Sequence, residues 1–215
     1  MRPRPAILMP LLALAVLIAL VLVVVLGKGA SSRPPSTTYA NPIGSAGFDG
    51  AALPARIVAP SFTLTDQDGR SISLKQFRGR VTVLTFLYSR CGAACVLIAQ
   101  QIRGALDELR DPAPVLIVSA DPRADTPADV SRFLGEVSLT RRVHYLTGPP
   151  SRLREIWRAY RVTPASAGRK AFGLHASVLL IDAPGNERVV YQQEQLTPEA
   201  LAHDIGKLDG ESTHP

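Results

Sequence analysis

The alternation of apolar and polar positions is most informative between residues 81 and 110. The predominantly apolar run from Val81 to Leu87 predicts a buried strand. After Cys95 the apolar residues recur every three or four positions, which predicts an amphipathic helix from Gly92 to about Arg110. The chain therefore predicts a strand, a short loop and a helix, with the pair Cys91 and Cys95 at the junction.

The rest of the chain repeats this alternation of short apolar strands and helical stretches. A hairpin is predicted at 61–65 and 71–74, and a capping Thr126 followed by a proline begins a helix at 127–137. The remaining predicted strands are 114–119, 143–146, 177–181 and 188–191, and the remaining helices are 152–160 and 197–208. This order predicts an α/β fold, with a mixed central sheet and flanking helices.

The N-terminal segment has a different pattern. Ile7 to Leu26 holds twenty residues without a charge, and a helix of that length spans roughly 30 Å, as a bilayer core requires. Because Arg2 and Arg4 precede this run, we expect residues 1–30 to form a single-pass transmembrane anchor with its N-terminus in the cytoplasm. A cleaved signal peptide is the alternative, but residues 28–31 offer it a poor cleavage site.

Composition divides the remaining chain. Residues 31–56 are rich in Gly, Pro, Ser, Thr and Ala, which predicts a flexible linker. We expect the folded domain at 57–210 and a disordered tail at 211–215. For a bacterial protein, this organisation predicts an anchor in the inner membrane, contact with its lipid, and a soluble domain in the periplasm.

The net charge adds little to this picture. The chain has 24 Lys and Arg against 18 Asp and Glu, a formal charge of +6, and three of the cations lie in the first thirty residues. No basic cluster with interleaved aromatic residues is present in the sequence, so we do not expect nucleic-acid binding.

The chemistry of the chain is concentrated in its two cysteines. Cys91 and Cys95 are separated by three residues, and residues four apart share a helix face, so both sulfurs can converge. A helix N-terminus also favours thiolate. A pair this close in sequence favours metal or redox chemistry over a structural disulfide, although a metal-free dithiol and two inert buried thiols remain alternatives.

Several stretches resemble the Sco/SenC family, whose members are membrane-tethered copper proteins with a thioredoxin-like fold that serve cytochrome c oxidase assembly. The matching stretches are 62–69, 77–80, 85–91, 118–127, 146–148, 159–162 and 174–177. Together they cover roughly residues 60–208. Gly92, Ala93, Ala94 and Val96 depart from the family pattern, which usually has prolines inside and after the cysteine motif.

The resemblance implies a copper site formed by Cys91, Cys95 and His175. Soft sulfur ligands select Cu(I), and imidazole suits either oxidation state of copper. Structural zinc normally takes four protein ligands, and the sequence offers three. His175 also precedes the strand that should neighbour the cysteine strand.

The function that follows from the resemblance is a copper chaperone. It would deliver copper to the copper A centre of a cytochrome c oxidase subunit, after a thiol reductant protein had reduced the cysteines. The alternative is a thiol-disulfide oxidoreductase that reduces an oxidase subunit or acts in redox signalling. A peroxidase is less favoured, because residues 89–92 do not supply the expected setting of a peroxidatic cysteine.

Other polar and aromatic residues receive structural interpretations. We expect Asp125 or Thr126 to cap a helix, and Trp157 and Tyr160 to lie in the core. His144, His203 and His214 are expected to be solvated. A less favoured alternative for Asp125 is to help orient a partner or the metal loop. Asp121 either does the same or shapes a turn, and the sequence does not decide between the two.

Overall fold

The computed structural model describes residues 47–163 and 177–213. The predicted anchor at 1–30, residues 31–46 of the predicted linker, His175 and His214 lie outside the described residues. Within the described ranges, none of the helices combines the length and the apolar character needed to span a bilayer.

The elements form a mixed sheet with helices on both faces. The strands are β1 (Ala51–Val58), β2 (Thr63–Thr65), β3 (Ser71–Ser73), β4 (Thr82–Leu87), β5 (Val115–Ser119), β6 (His144–Leu146), β7 (Ser177–Ile181) and β8 (Asn186–Gln192). The helices are α1 (Ala93–Glu108), α2 (Pro127–Glu136), α3 (Pro150–Ala159) and α4 (Pro198–Thr213), with 3-10 turns at Leu74–Phe77 and Gln193–Gln195.

Six strands form the main sheet in the order β1-β8-β7-β4-β5-β6. The strands β4, β5 and β6 are parallel, whereas β7 runs antiparallel to β4 and β8 to β7. All six residues of β4 are buried, because the strand lies in the middle of the sheet with a core on each face. The predicted neighbour relation between β4 and β7 is confirmed.

Two apolar clusters fill the space on either side of the sheet. One cluster contains the inner face of α1, including Ile98 and Ile102, together with residues of α2 and α4. The other contains residues of the β2–β3 hairpin and of α3, including Leu153 and Trp157. The helical period predicted for α1 is therefore confirmed, since its apolar stripe lies against the sheet.

Both predicted limits of the folded domain are wrong. Residues 51–56 are not linker, because β1 begins at Ala51 and pairs with β8 through Ala51 and Val190. Pro54, a left-handed Arg56 (φ 72°) and a register shift between Ala52 and Ile57 break the alternation by which a strand is recognised. At the other end, residues 211–213 are not a disordered tail: they belong to α4.

Candidate metal and redox site

The cysteine pair lies where β4 passes into α1. The strand ends at Leu87, a turn follows, and the amide of Cys91 donates a hydrogen bond to the carbonyl of Tyr88 at 3.1 Å. Cys91 and Cys95 are joined by a disulfide, with their Cα atoms 5.8 Å apart. The predicted convergence of the two sulfurs is therefore confirmed.

The two cysteines differ in exposure. Cys95, in the first turn of α1, is completely buried in the core, whereas Cys91 is half-buried at the edge of the core. The neighbouring exposed residues include Arg90, Gly92 and Ala93, together with Leu97, which is exposed by 40%. Of the two cysteines, Cys91 is therefore the more accessible to an external thiol or metal donor.

Gly92 gives the junction an unusual backbone. Its φ of 85° and ψ of −150° lie in a region that is essentially open to glycine alone. A Cβ at this position would meet nothing within 4 Å, so the requirement comes from the backbone angles and not from crowding. Proline, with φ near −65°, could not occupy this conformation. The absence of the family's usual proline at Gly92 therefore goes together with a backbone that proline could not adopt.

Asp125 fixes the loop that leads to Cys91. Its buried carboxylate accepts hydrogen bonds from the amide of Ser89 at 2.7 Å and from the hydroxyl of Ser119 at 2.5 Å. The hydroxyl of Ser89 donates to the carbonyl of Ala124 at 2.9 Å. Burial raises the pKa of Asp125 more than the hydrogen bonds from Ser119 and Ser89 lower it.

The helix cap is Thr126, whose hydroxyl accepts a hydrogen bond from the amide of Asp129 at 3.2 Å. The expectation that Asp125 serves as the cap is wrong, because its side chain reaches across to Ser89, after β4, and to Ser119 at the end of β5. Asp121 accepts a hydrogen bond from the amide of Arg123 within its own turn, which is the structural role considered for it. Sequence spacing identified this segment but not the direction of the Asp125 side chain.

A second carboxylate holds the next residue of the same loop. Arg90 donates to Asp129 at 2.8 Å, and Asp129 also accepts from Arg132 at 2.7 Å. The hydrogen bond from Thr126 and the ion pair with Arg90 lower the pKa of Asp129 to about 2. Asp125 and Asp129 therefore anchor Ser89 and Arg90, two successive residues before Cys91. The sequence offered this role for Asp125 only as the less favoured alternative to capping, and it offered no such role for Asp129.

The structure positions the strand that follows His175, although not His175 itself. β7 begins at Ser177, whose carbonyl accepts a hydrogen bond from the hydroxyl of Thr85 at 2.9 Å. Val178 pairs with Thr85, so β7 starts near the end of β4 that carries the cysteines. The role of His175 as a copper ligand remains a prediction.

The described histidines have structural partners. His144 is half-buried, with Nδ1 3.2 Å from Asp66 and its ring 5.6 Å from that of Phe77, so the expectation of a solvated side chain is wrong. His203 is about half exposed, and its Nδ1 lies 3.0 Å from both Asp49 and Asp204.

Asp49, His203 and Asp204 form the one group of three potential ligand side chains found in the described ranges. The buried Asp204 carboxylate already accepts hydrogen bonds from the amides of Asp49 and Gly50 and from the hydroxyl of Tyr191. These bonds hold the segment before β1 against α4. The group formed by Asp49, His203 and Asp204 therefore has a structural role, and it is called the clamp below.

The aromatic residues assigned to the core contact it as expected. Trp157 is buried, and its indole N–H donates to the carbonyl of Ser119 at 2.9 Å. Tyr160 is half-buried against Phe62 and Phe86 and donates its hydroxyl to the carbonyl of Pro60 at 2.7 Å.

The chain is similar to known proteins over this whole domain. The sequence pattern of the SCO1/SenC family matches residues 50–209. The Arabidopsis thaliana mitochondrial SCO1 homolog 1 is 25% identical over 118 residues, which are 53% of this chain and 35% of that protein. The Escherichia coli peroxiredoxin Bcp is 29% identical over 140 residues, 65% of this chain and 85% of the enzyme.

Solved structures agree with the sequence matches. Copper-bound ScoI of Bradyrhizobium japonicum is 25% identical and covers 70% of this chain and 99% of its own, with a TM-score of 0.54. Further Sco structures and a thioredoxin domain have TM-scores up to 0.61, which confirms the mixed α/β thioredoxin-like fold. Since the family pattern spans about three quarters of its length, the chain belongs to the SCO1/SenC family.

Proposed function

We propose that the protein is a membrane-anchored copper chaperone that uses Cys91, Cys95 and His175 as ligands. The observation that carries this proposal is the convergence of two sulfurs at the junction of β4 and α1, in a chain of the SCO1/SenC family. Two thiolates and one imidazole form a soft, open ligand set, which suits a metal that is passed on by ligand exchange.

The disulfide implies a reduction step before copper can bind. Two electrons and two protons convert it into the thiols of Cys91 and Cys95, and the thiols lose their protons when they bind metal. A thiol reductant protein would attack the accessible sulfur of Cys91 and release Cys95 as the leaving thiol. The recipient of the copper is proposed to be the copper A centre of a cytochrome c oxidase subunit.

The ligand set is tested by anaerobic Cu(I) titration of the reduced full chain in neutral detergent micelles. X-ray absorption should count two sulfur neighbours and one nitrogen neighbour per copper. Cys91→Ser and Cys95→Ser should each lose a sulfur, and His175→Ala should lose the nitrogen. His203→Ala is the matched control, because His203 belongs to the clamp. An unchanged spectrum in His175→Ala would remove that residue from the site.

A thiol-disulfide oxidoreductase is the second candidate. It is favoured by the difference in exposure, since an accessible Cys91 can form a mixed disulfide that a buried Cys95 resolves. Cys95→Ser should then trap a mixed disulfide with an oxidised oxidase subunit. If the copper-free, reduced chain fails to reduce that subunit, this candidate is excluded.

The location is also a proposal: residues 1–30 anchor the protein in the bacterial inner membrane, with the soluble domain in the periplasm. Resistance to carbonate extraction, together with protease cleavage from the periplasmic side only, would support it. Release of the intact chain by carbonate would contradict it.

A further inference from the structure

A cavity of about 770 Å³ lies at the end of the sheet opposite to the cysteines. It is lined by Arg80 just before β4, by residues 112–115 at the start of β5 and by residues 141–144 at the start of β6. Because β4, β5 and β6 are parallel, these residues share one edge of the sheet, whereas Cys91 follows the other end of β4. Six strand residues at ~3.3 Å each separate the two ends by roughly 17–20 Å.

Four guanidinium groups line the cavity, from Arg70, Arg80, Arg141 and Arg142, and Asp68 contributes the one lining carboxylate among the described residues. Three of the arginines form ion pairs. Arg70 pairs with Asp68 at 3.1 Å, Arg80 with Asp111 at 3.2 Å, and Arg142 with Asp107 at 2.7 Å.

These ion pairs are weak competitors for a ligand. The side chain of Asp111 is 88% exposed and that of Asp107 46%, and ion pairs as exposed as these contribute little to stability. Asp107 is also shared with Arg103, at 2.7 Å. The guanidinium group of Arg142 can therefore turn towards an anion at little cost, whereas that of Arg80 also donates to the carbonyl of Pro112 at 2.8 Å and is held at the cavity wall.

Arg141 supplies the excess charge. Its side chain has no ion pair or hydrogen bond within the described part of the chain, and its backbone is left-handed, with φ at 60°. For a residue with a Cβ, that conformation is strained.

His144 adds a polarised ring at the cavity wall. Its Nδ1 lies 3.2 Å from Asp66, whose side chain is fully buried. Burial raises the pKa of Asp66, but hydrogen bonds from the amides of Arg70 and Asp68 and from His144 outweigh this effect and leave the pKa below its ordinary value. An ionised Asp66 accepts the Nδ1 proton of His144, so His144 is held as part of the cavity wall and the guanidinium groups supply the donors for an anion.

We propose that this arginine-lined cavity binds a phosphate-bearing anion. Guanidinium groups match phosphate oxygens with paired hydrogen bonds, which a single ammonium group cannot do. The cavity is larger than one inorganic phosphate, and Phe77, Leu106 and Pro114 give it an apolar wall for the organic part of a phosphoester. A soluble organophosphate and the headgroup of an anionic lipid share this chemistry.

The proposal is tested with the full chain in neutral detergent micelles, titrated with pyrophosphate and with glycerol 3-phosphate by calorimetry. Arg141→Gln/Arg142→Gln should weaken binding by about tenfold or more, as loss of charge-assisted hydrogen bonds predicts. Arg154→Gln/Arg158→Gln is the matched control: it removes the same charge from exposed positions on α3, away from the cavity, and should change binding less than about twofold.

A competition measurement identifies the source of the ligand, and a single-substitution variant is available if the double variant misfolds. If micelles that contain phosphatidylglycerol compete with pyrophosphate and micelles that contain phosphatidylcholine do not, the lipid headgroup is the ligand. If neither competes, the ligand is a soluble phosphoester. Arg141→Gln alone, which breaks no contact, replaces the double variant if the latter does not fold. Absence of binding to both probes, or equal weakening by the cavity and control variants, overturns the proposal.

Discussion

The carboxylate of Asp125 provides the most direct test of how the cysteine loop is held. Substitution by alanine removes the acceptor for both the Ser89 amide and the Ser119 hydroxyl. A polar group left without a partner in the interior costs about 1–3 kcal/mol. Asp125→Ala leaves two such groups without a partner, but it also removes the cost of burying the carboxyl group. We therefore predict that Asp125→Ala lowers the free energy of unfolding by about 2–4 kcal/mol.

Asparagine should have a much smaller effect. In Asp125→Asn the amide oxygen can accept from Ser89, and the NH₂ group can donate to Ser119 once that hydroxyl has rotated. We therefore expect Asp125→Asn to cost less than about 1 kcal/mol near neutral pH. The difference between the two variants isolates the hydrogen bonds from the shape of the side chain.

The same pair of proteins predicts a pH dependence. The pKa of Asp125 is raised in the folded state above its ordinary 3.8, so the folded protein binds this proton more tightly. The contribution that this bound proton makes to the stability of the fold is complete below pH 3.8 and is lost as the pH rises through the folded pKa of Asp125. Relative to Asp125→Asn, the parent should therefore lose stability over that window, while Asp129 titrates equally in both proteins.

The measurement is urea unfolding of the full, disulfide-bonded chain in neutral detergent micelles, followed by fluorescence of the single tryptophan, Trp157. Asp121→Ala is the matched control, because Asp121 accepts one hydrogen bond within its own turn, and it should cost less than about 1 kcal/mol. An alanine variant no less stable than this control would refute the reasoning, as would equal losses for Asp125→Ala and Asp125→Asn.

Three further substitutions test separate parts of the domain. Gly92→Ala should cost about 1–3 kcal/mol, because its backbone angles suit glycine alone, whereas Gly206→Ala in the interior of α4 should not destabilise; urea midpoints compare them. Asp129→Asn should be less stable than the parent at pH 7, and most of this difference should be lost by pH 2, since a pKa lowered to about 2 gives stability that decreases as the pH falls from about 4 through 2; melting curves at both pH values check this. Asp204→Ala should speed proteolytic cleavage before β1, as two amides lose their acceptor, and an unchanged cleavage rate would contradict the clamp.

The elements nearest the cysteines could be predicted because their patterns are local. β4 is a run of apolar residues in the middle of the sheet, and the stripe of α1 repeats with the helical period, so each could be identified without its partners. β1 could not, since Pro54 and the left-handed Arg56 disrupt its pattern and pairing with β8 is what makes it a strand.

Polar contacts between distant segments were the other source of error. Asp125 and Thr126 both precede a helix, and nothing in their order shows which side chain turns back to cap it. The choice depends on donors 36 and 6 residues away, at Ser89 and Ser119. The prediction of a solvated His144 fails for the same reason: its partner Asp66 is 78 residues away.

The same contacts indicate which sulfur moves when the disulfide opens. Two thiols, or two metal-bound thiolates, lie farther apart than bonded sulfurs, so at least one cysteine must shift. Cys95 is enclosed by the core, and Ser89 and Arg90 are fixed by Asp125 and Asp129. Gly92 has open space around it and no Cβ to restrict rotation. Reduction should therefore displace Cys91 about the Gly92 backbone and leave Cys95 in place, and this would be seen as amide shifts concentrated at residues 91–93 when reduced and oxidised protein are compared by NMR. Larger shifts at Cys95 and along α1 would show instead that the helix moves.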